Sequence, residues 1–181
     1  MTQRTEARSR PGVEPRASRS NVQLRNFSSS LPMALLRARE AVMRHFRASL
    51  REYNITEQQW RVLRALTTVD KIEVTDLARA TYLLSPSLSR ILRHLEQEQY
   101  ITRHTVASDQ RRSVVSIAPR GLELIAVVSP DSESIYGKIA DLYGAEKLAL
   151  LQDMLRELET VMNQHNIRAG LMEADFSDAG D

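Results

Sequence analysis

Apolar side chains recur at helical spacing over most of residues 27–166, and polar stretches separate these segments. From Pro32 to about residue 53 the apolar positions step by three, four and seven residues, which predicts an amphipathic first helix of about 20 residues. Thr56 and Gln59 have the spacing of a capping box, which predicts a second helix ending near residue 69. The pattern therefore indicates a mainly helical chain.

The stretch VTDLARATYLLSPSLSRILRHLEQEQYI, residues 74–101, has the pattern of a helix-turn-helix. We expect a short helix at 74–80, a turn at 81–84, Ser85 as an N-cap and Pro86 at the first position of a second helix. The apolar stripe of that second helix is Leu88, Ile91, Leu92 and Leu95. Its polar side is Ser87, Ser89, Arg90, Arg93, His94 and Gln97. Such a polar side fits a recognition helix in the DNA major groove, and the alternative is an ordinary solvated helix face.

Two strands follow directly, at 101–106 and 113–117, where the side chains alternate or are rich in valine. A basic hairpin immediately after a recognition helix is more specific than either part alone. Together they predict a winged helix-turn-helix domain at residues 55–118.

The tip between these strands, residues 107–112, is polar and basic. Asp109 and Arg111 are two positions apart, so the carboxylate can pair with the guanidinium and fix its direction. We expect Arg112 to be free to reach outward into a narrow minor groove. The alternative is a solvated hairpin whose surface salt bridge contributes at most about 1 kcal/mol.

Further helical segments follow Pro119. Pro130 interrupts the first of them, as a kink or a short break, and Gly144 can cap it before a strong final helix. The apolar positions of that final helix are Leu148, Leu151, Leu155, Leu158 and Met162. A small winged domain cannot cover all these stripes, so we expect a two-fold dimer through the helices of 27–54 and 119–166. One monomeric bundle is the alternative.

Composition refines this picture. Hydrophobic residues are 42% of the chain but aromatic residues only 5%, which favours a core of Leu, Ala and Val side chains. The absence of cysteine excludes disulfides, thiolate metal sites and thiol redox switches. There is neither an apolar run near the roughly 20 residues of a membrane span nor a secretory h-region at the start. We therefore expect a cytoplasmic protein with no membrane partner.

Charge is informative mainly through its distribution. The formal net charge is +2, and of the 25 basic residues 22 are arginines. Arginine suits contacts with phosphate and guanine, although a G+C-rich genome would produce the same bias. We expect residues 1–26 to be a disordered basic tail, either solvated or touching DNA, and 167–181 an acidic frayed tail.

Enzyme signatures are missing from the sequence. His45, His94, His104 and His165 form no H-E-x-x-H pair, and neither a G-x-S-x-G motif nor a glycine-rich phosphate loop is present. We expect no enzymatic activity, no cofactor and no metal. A winged domain that binds proteins instead of DNA remains the alternative function.

The order of these motifs resembles the MarR family of winged-helix regulators. Asp109 and Arg111 match its D-x-R wing, and Ile117, Gly121 and Leu124 match the L-T-x-x-G-x-x-L segment that follows it. Ala118 departs from the usual threonine, so the following helix lacks a capping hydroxyl. The resemblance covers about residues 30–165. It implies a transcriptional regulator, and the two-fold dimer expected above would place two recognition helices about 34 Å apart, which matches a pseudo-palindromic operator.

Two segments resemble, within that family, the repressors of homoprotocatechuate-degradation operons (the HpaR group). They are LRNFSSSLPMALLRAREAVMRHFRASLREYNITEQQWRVLRAL and YLLSPSLSRILRHLE. This resemblance implies control of genes that break down 4-hydroxyphenylacetate and 3,4-dihydroxyphenylacetate, with release from DNA by a small phenolic acid. A different effector is the alternative.

These interpretations define two sets of candidate residues. The DNA-binding candidates are Ser85, Ser87, Ser89, Arg90, Arg93, His94, Asp109, Arg111 and Arg112. For an aromatic carboxylate, which needs a cation and an apolar wall, the candidates are Arg37, Arg39, His45, Trp60 and Arg64. Each of these five has the alternative of being a plain surface charge or a core side chain.

Overall fold

The computed structural model describes residues 26–106 and 109–165, and for Val106 and residues 109–111 it describes the backbone alone. The two predicted tails, apart from Asn26, lie outside the described residues. A 3-10 turn, Phe27–Ser29, comes first. The α-helices are α1 (Leu31–Glu52), α2 (Glu57–Leu66), α3 (Val74–Thr81), α4 (Ser85–Gln97), α5 (Pro119–Tyr143) and α6 (Ala145–Gln164). The strands are β1 (Ile72–Glu73), β2 (Ile101–Val106) and β3 (Asp109–Ile117).

The chain divides into two units, Met1–Glu40 and Ala41–Asp181. Among the described residues of the first unit are the 3-10 turn and the first residues of α1, whose leucines Leu31, Leu35 and Leu36 are exposed. The second unit holds the hydrophobic core and the remaining elements.

The core of the second unit is aliphatic, as the composition predicts. Its fully buried hydrophobic side chains are Leu50, Val62, Leu63, Leu66, Leu77, Leu88, Leu92, Leu95, Val115 and Val128. The apolar stripe predicted for α4, Ile91 included, belongs to this cluster. Burying one such side chain contributes about 1.5–3 kcal/mol. The stripe therefore fixes which side of α4 faces solvent.

The three strands form one antiparallel sheet in the order β1-β3-β2. Ile72 of β1 lies opposite Val115, and Ile101 of β2 lies opposite Ile117. The sequence did not predict β1, whose two residues are too few for a periodic signal. The wing also differs from expectation, because β3 begins at Asp109 and the strand includes most of the predicted tip.

Helix starts agree with the capping prediction in one case and differ in another. At α2 the box is complete: the Gln59 amide donates to Thr56 Oγ1 (3.2 Å) and the Thr56 amide donates to Gln59 Oε1 (2.8 Å). The prediction of Ser85 as an N-cap is wrong. Leu84 is the N-cap of α4, because the Leu88 amide donates to the Leu84 carbonyl (2.9 Å) and the helix thus starts one residue earlier.

Helix α5 runs through Pro130 without a break, so of the two expectations for this proline a short break is wrong. The second half of α1 contacts α5 close to Pro130. The Tyr53 hydroxyl donates to Asp131 Oδ2 (2.6 Å), and the Phe46 and Tyr136 rings lie 4.8 Å apart between centroids. The hydrogen bond to Asp131 raises the pKa of Tyr53 above its ordinary value. Gly144, at φ 95°, ends α5 as predicted.

Long stretches of α5 and α6 leave apolar side chains in solvent. Leu142 is 90% exposed, and Leu151, Leu155 and Met162 of α6 are exposed as well. α6 buries none of its side chains in the single chain. Among the described residues, none of the helices combines the length and the hydropathy needed to cross a bilayer.

Gly121 and Gly137 provide a matched pair for testing the packing of α5. A Cβ at Gly121 would lie 2.2 Å from the Tyr100 carbonyl oxygen and 2.9 Å from Ile117 Cγ1, whereas at Gly137 nothing lies within 4 Å. We expect Gly121→Ala to lower the free energy of unfolding by about 1–3 kcal/mol through overpacking. Gly137→Ala should raise it by about 0.5–1 kcal/mol, because alanine is the better helix former. Urea unfolding at one protein concentration measures both; equal effects would contradict the close approach.

Candidate DNA-binding and ligand sites

The solvent side of α4 carries the predicted polar residues. Ser89, Arg90, Arg93 and His94 are exposed, as is Ser85 at the helix start, and Ser87 is half-buried. The Ser89 hydroxyl donates to the Ser85 carbonyl (2.9 Å), so its proton is engaged within the helix. The structure thus brings these six candidates together on one helix, with the guanidinium groups of Arg90 and Arg93 in solvent.

The turn before α4 is held by a residue in a rare conformation. Tyr82 is left-handed, at φ 51° and ψ 39°. That conformation costs a non-glycine residue roughly 1–2 kcal/mol. The Thr81 hydroxyl, which is buried, donates to the Leu77 carbonyl (2.6 Å), and the Leu83 amide donates to the Ala78 carbonyl (3.1 Å). These bonds close the end of α3 and direct the chain into α4.

A polar clamp, formed by Arg47, Glu57 and Arg61, ties this turn to α1 and α2. Arg61 donates through one terminal nitrogen to the Thr81 carbonyl (3.1 Å) and through the other to Glu57 Oε1 (2.6 Å). Arg47 Nε donates to the second oxygen of the same carboxylate (2.7 Å). The Glu57 side chain is only 12% exposed. Two guanidinium groups therefore compensate one largely buried carboxylate, as burial of a charge requires.

The wing arginine is paired with an acidic residue of β1. Arg112 Nε donates to Glu73 Oε2 (3.1 Å), and its NH2 group donates to Glu73 Oε1. The expectation that Arg112 reaches outward without such a partner is wrong, because β1 places a carboxylate beside it. The side chains of Asp109 and Arg111 lie outside the described residues, so their pairing stays a prediction.

Two ligand candidates lie together on α2. The Arg64 guanidinium carbon lies 6.0 Å from the centre of the Trp60 ring, at the limit of a cation–π contact. Trp60 is half-buried and packs against the core, so one part of the indole serves as core and another stays accessible.

The other three ligand candidates are exposed on α1. His45, in the second unit, accepts a long hydrogen bond from Arg44 (3.4 Å). Arg37 and Arg39 belong to the first unit, where Arg39 pairs with Glu40 (2.7 Å). A cavity of about 400 Å³ opens elsewhere, between the end of α1 and the start of α2. Within the described part of the chain, no three acidic or histidine side chains lie close enough to hold a metal ion.

Sequence reasoning missed Glu57, Arg61, Glu73 and Tyr82. Glu57 and Arg61 had a usable signal, since an acidic residue four positions before an arginine is the favoured ion-pair spacing on a helix. Glu73 had none, because its partner is set by the pairing of β1 with β3. Tyr82 had none either, because tyrosine does not favour a left-handed backbone.

Comparison with known proteins adds to this geometry. The sequence model of the MarR family matches residues 55–113. The HTH-type transcriptional regulator FarR of Neisseria gonorrhoeae is 36% identical over 138 residues, which is 76% of this chain and 94% of FarR. The homoprotocatechuate degradative operon repressor of Escherichia coli is 36% identical over 134 residues, which is 74% of this chain and 90% of the repressor.

A solved structure is similar to this chain in three dimensions as well as in sequence. The crystal structure of NadR in complex with 4-hydroxyphenylacetate has a TM-score of 0.65 and 35% sequence identity. The match covers 76% of this chain and 97% of NadR.

The clamp can be tested by removing its negative charge. In Glu57→Gln an amide replaces a carboxylate that accepts from two guanidinium groups, so we expect a loss of about 1–3 kcal/mol in the free energy of unfolding. Glu123→Gln, at an exposed position on α5, is the control and should change it by less than about 0.5 kcal/mol. Equal changes in the free energy of unfolding for the two variants, measured in urea, would show that the clamp does not stabilise the fold.

Proposed function

The chain belongs to the MarR family of transcriptional regulators, and we propose that it represses an operon for the degradation of a phenolic acid such as 4-hydroxyphenylacetate or homoprotocatechuate. The main support is the Escherichia coli relative, which is named for the homoprotocatechuate degradative operon. The NadR structure contains 4-hydroxyphenylacetate, a compound of the same chemical class. The proposal carries both properties over to this chain.

For the DNA contacts we propose that α4 enters the major groove. Arg90 and Arg93, exposed opposite the buried stripe, would contact guanine edges or phosphates. His94 and the serines at 85, 87 and 89 would add hydrogen bonds. The wing would contact the minor groove through Arg111 and Arg112. Asp109 would orient Arg111.

We propose that the regulator acts as a two-fold dimer. The exposed apolar side chains of α5 and α6, including Leu142, Leu151 and Leu155, support this assembly because a single chain leaves them in water. Segments 27–54 and 119–166 would form the dimerisation region and 55–118 the DNA-binding domain, with tails at 1–26 and 167–181. A two-fold axis would place two recognition helices about 34 Å apart, matching a pseudo-palindromic operator.

For the effector we propose a site that includes Trp60 and Arg64. The guanidinium of Arg64 can receive a carboxylate, and the exposed part of the Trp60 indole can pack against a phenol ring. Arg37, Arg39 and His45 are further candidates for the carboxylate. Release requires only that the acid bind the conformation that cannot bind DNA more tightly, by a few kcal/mol, than the conformation that can.

The first test is binding of the full-length protein to the promoter region beside its own gene. We expect a nanomolar dissociation constant by fluorescence anisotropy. Either 4-hydroxyphenylacetate or 3,4-dihydroxyphenylacetate should abolish the binding. Binding that ignores both acids would overturn the proposed effector. Failure to bind the promoter more tightly than an unrelated duplex would overturn the repressor function and favour a protein-binding role.

The recognition helix is tested by Arg93→Ala on the same promoter fragment. Loss of a base contact should cost about 1–3 kcal/mol, which is roughly 5- to 150-fold in affinity, and should relax specificity. Lys147→Ala, which removes an exposed positive charge from α6, should leave affinity unchanged. An equal effect of both substitutions would indicate general electrostatics rather than base reading.

The effector site is tested by Arg64→Gln. We expect this variant to bind the promoter as the wild type does, while needing at least about tenfold more acid for release, because a charge-assisted bond to the carboxylate is lost. Arg37→Gln and Arg39→Gln serve as comparisons in the same titration. An unchanged acid response in Arg64→Gln would remove that residue from the site.

A further inference from the structure

Glu73 occupies an unusual position beside the wing. It is the last residue of β1 and also the N-cap of α3, yet its side chain makes no capping hydrogen bond to that helix. The carboxylate turns instead to Arg112, which it engages with both oxygens. The side chain of Glu73 therefore contacts the wing instead of capping α3.

The strand register explains why these two residues meet. Glu73 lies opposite Val114 in the β1–β3 pair, and Arg112 is two residues from Val114 along β3. The register of β3 against β2 shifts between Asp109 and Ser113, so regular alternation does not hold at Arg112, but the pairing of β1 with β3 still brings the two long side chains within hydrogen-bonding distance. The contact therefore belongs to the geometry of the wing.

The pair is open to solvent and borders a cleft that is lined by two arginines and one glutamate. The side chain of Arg112 is 53% exposed and that of Glu73 is 31% exposed. Both line a cavity of about 270 Å³ together with Arg103, Thr75 and Ser113. Because exposed ion pairs contribute little to stability, another anion can displace the carboxylate.

We propose that Glu73 competes with DNA phosphate for Arg112 and thereby sets the affinity of the wing for DNA. The inference rests on the proposed DNA-binding function. A carboxylate and a phosphate can each accept two hydrogen bonds from one side of a guanidinium group. Glu73 and a DNA phosphate therefore compete for the same donors of Arg112. The carboxylate also repels nearby phosphates once DNA is bound.

The test is Glu73→Gln in the full-length protein, with the labelled promoter fragment as probe. We expect affinity to rise about 3- to 10-fold near 0.1 M salt, and the slope of log K against log salt to steepen by about one, as for one added phosphate contact. Glu73→Ala should give the same rise, which separates the lost charge from any effect of the amide. Glu123→Gln, which removes an exposed carboxylate of α5, should change neither quantity.

A double-mutant cycle with Arg112→Ala separates competition from general repulsion. If Glu73 acts by occupying Arg112, then Glu73→Gln should raise affinity less than about twofold once Arg112 is absent. A full rise in that background would overturn the proposal, as would unchanged or weaker binding by both Glu73 variants. If the wild type binds neither the promoter nor a generic duplex at low salt, the proposed function fails as well. Normal wild-type binding with unresponsive variants overturns this inference alone.

Discussion

One carboxylate, that of Glu57, connects three parts of the fold: α1, α2 and, through Arg61, the end of α3. It is the first residue of α2, where the helix dipole favours a negative charge. It accepts from Arg47 of α1 and from Arg61 of α2. Arg61 in turn donates to the carbonyl of Thr81, where α3 ends. The end of α3, from which the chain enters α4, is thus held by a polar contact in addition to the leucine stripe beneath α4.

The same half of α1 also holds α5, through the Tyr53–Asp131 hydrogen bond and the Phe46–Tyr136 ring contact. α1 therefore has directional contacts on two sides: to α5 through aromatic residues, and to the turn before α4 through the clamp. Aliphatic contacts tolerate small shifts, whereas a hydrogen bond weakens steeply with distance and angle. A shift of α1 against α2 would act on the Thr81 carbonyl through Glu57 and Arg61. In the proposed regulator, a ligand on α2 would act on α4 through this connection.

Periodicity predicted the parts of the fold that depend on local spacing. The stripe of α4 and the capping box at Thr56 need only residues three or four apart, and both are confirmed. What sequence reasoning missed depends on the partner strand or on backbone conformation. The partner of Arg112 follows from the pairing of β1 with β3, and two residues of β1 are too few to predict a strand. The left-handed Tyr82 carries no signal in its residue type. The candidate DNA residues on α4 were therefore predictable, and the contacts that position them were not.

Tyr82 connects α6 to the turn before α4. Its hydroxyl donates to a carboxylate oxygen of Glu159 on α6, and this hydrogen bond raises the pKa of Tyr82 above its ordinary value. The last residue of α3 and the first residue of the turn thus contact different elements: Thr81 is held by α2 and Tyr82 by α6. Glu159 lies on α6, whose apolar side chains are exposed in the single chain. If a second copy covers this face, as proposed, assembly and the placement of α4 are linked through a turn of three residues.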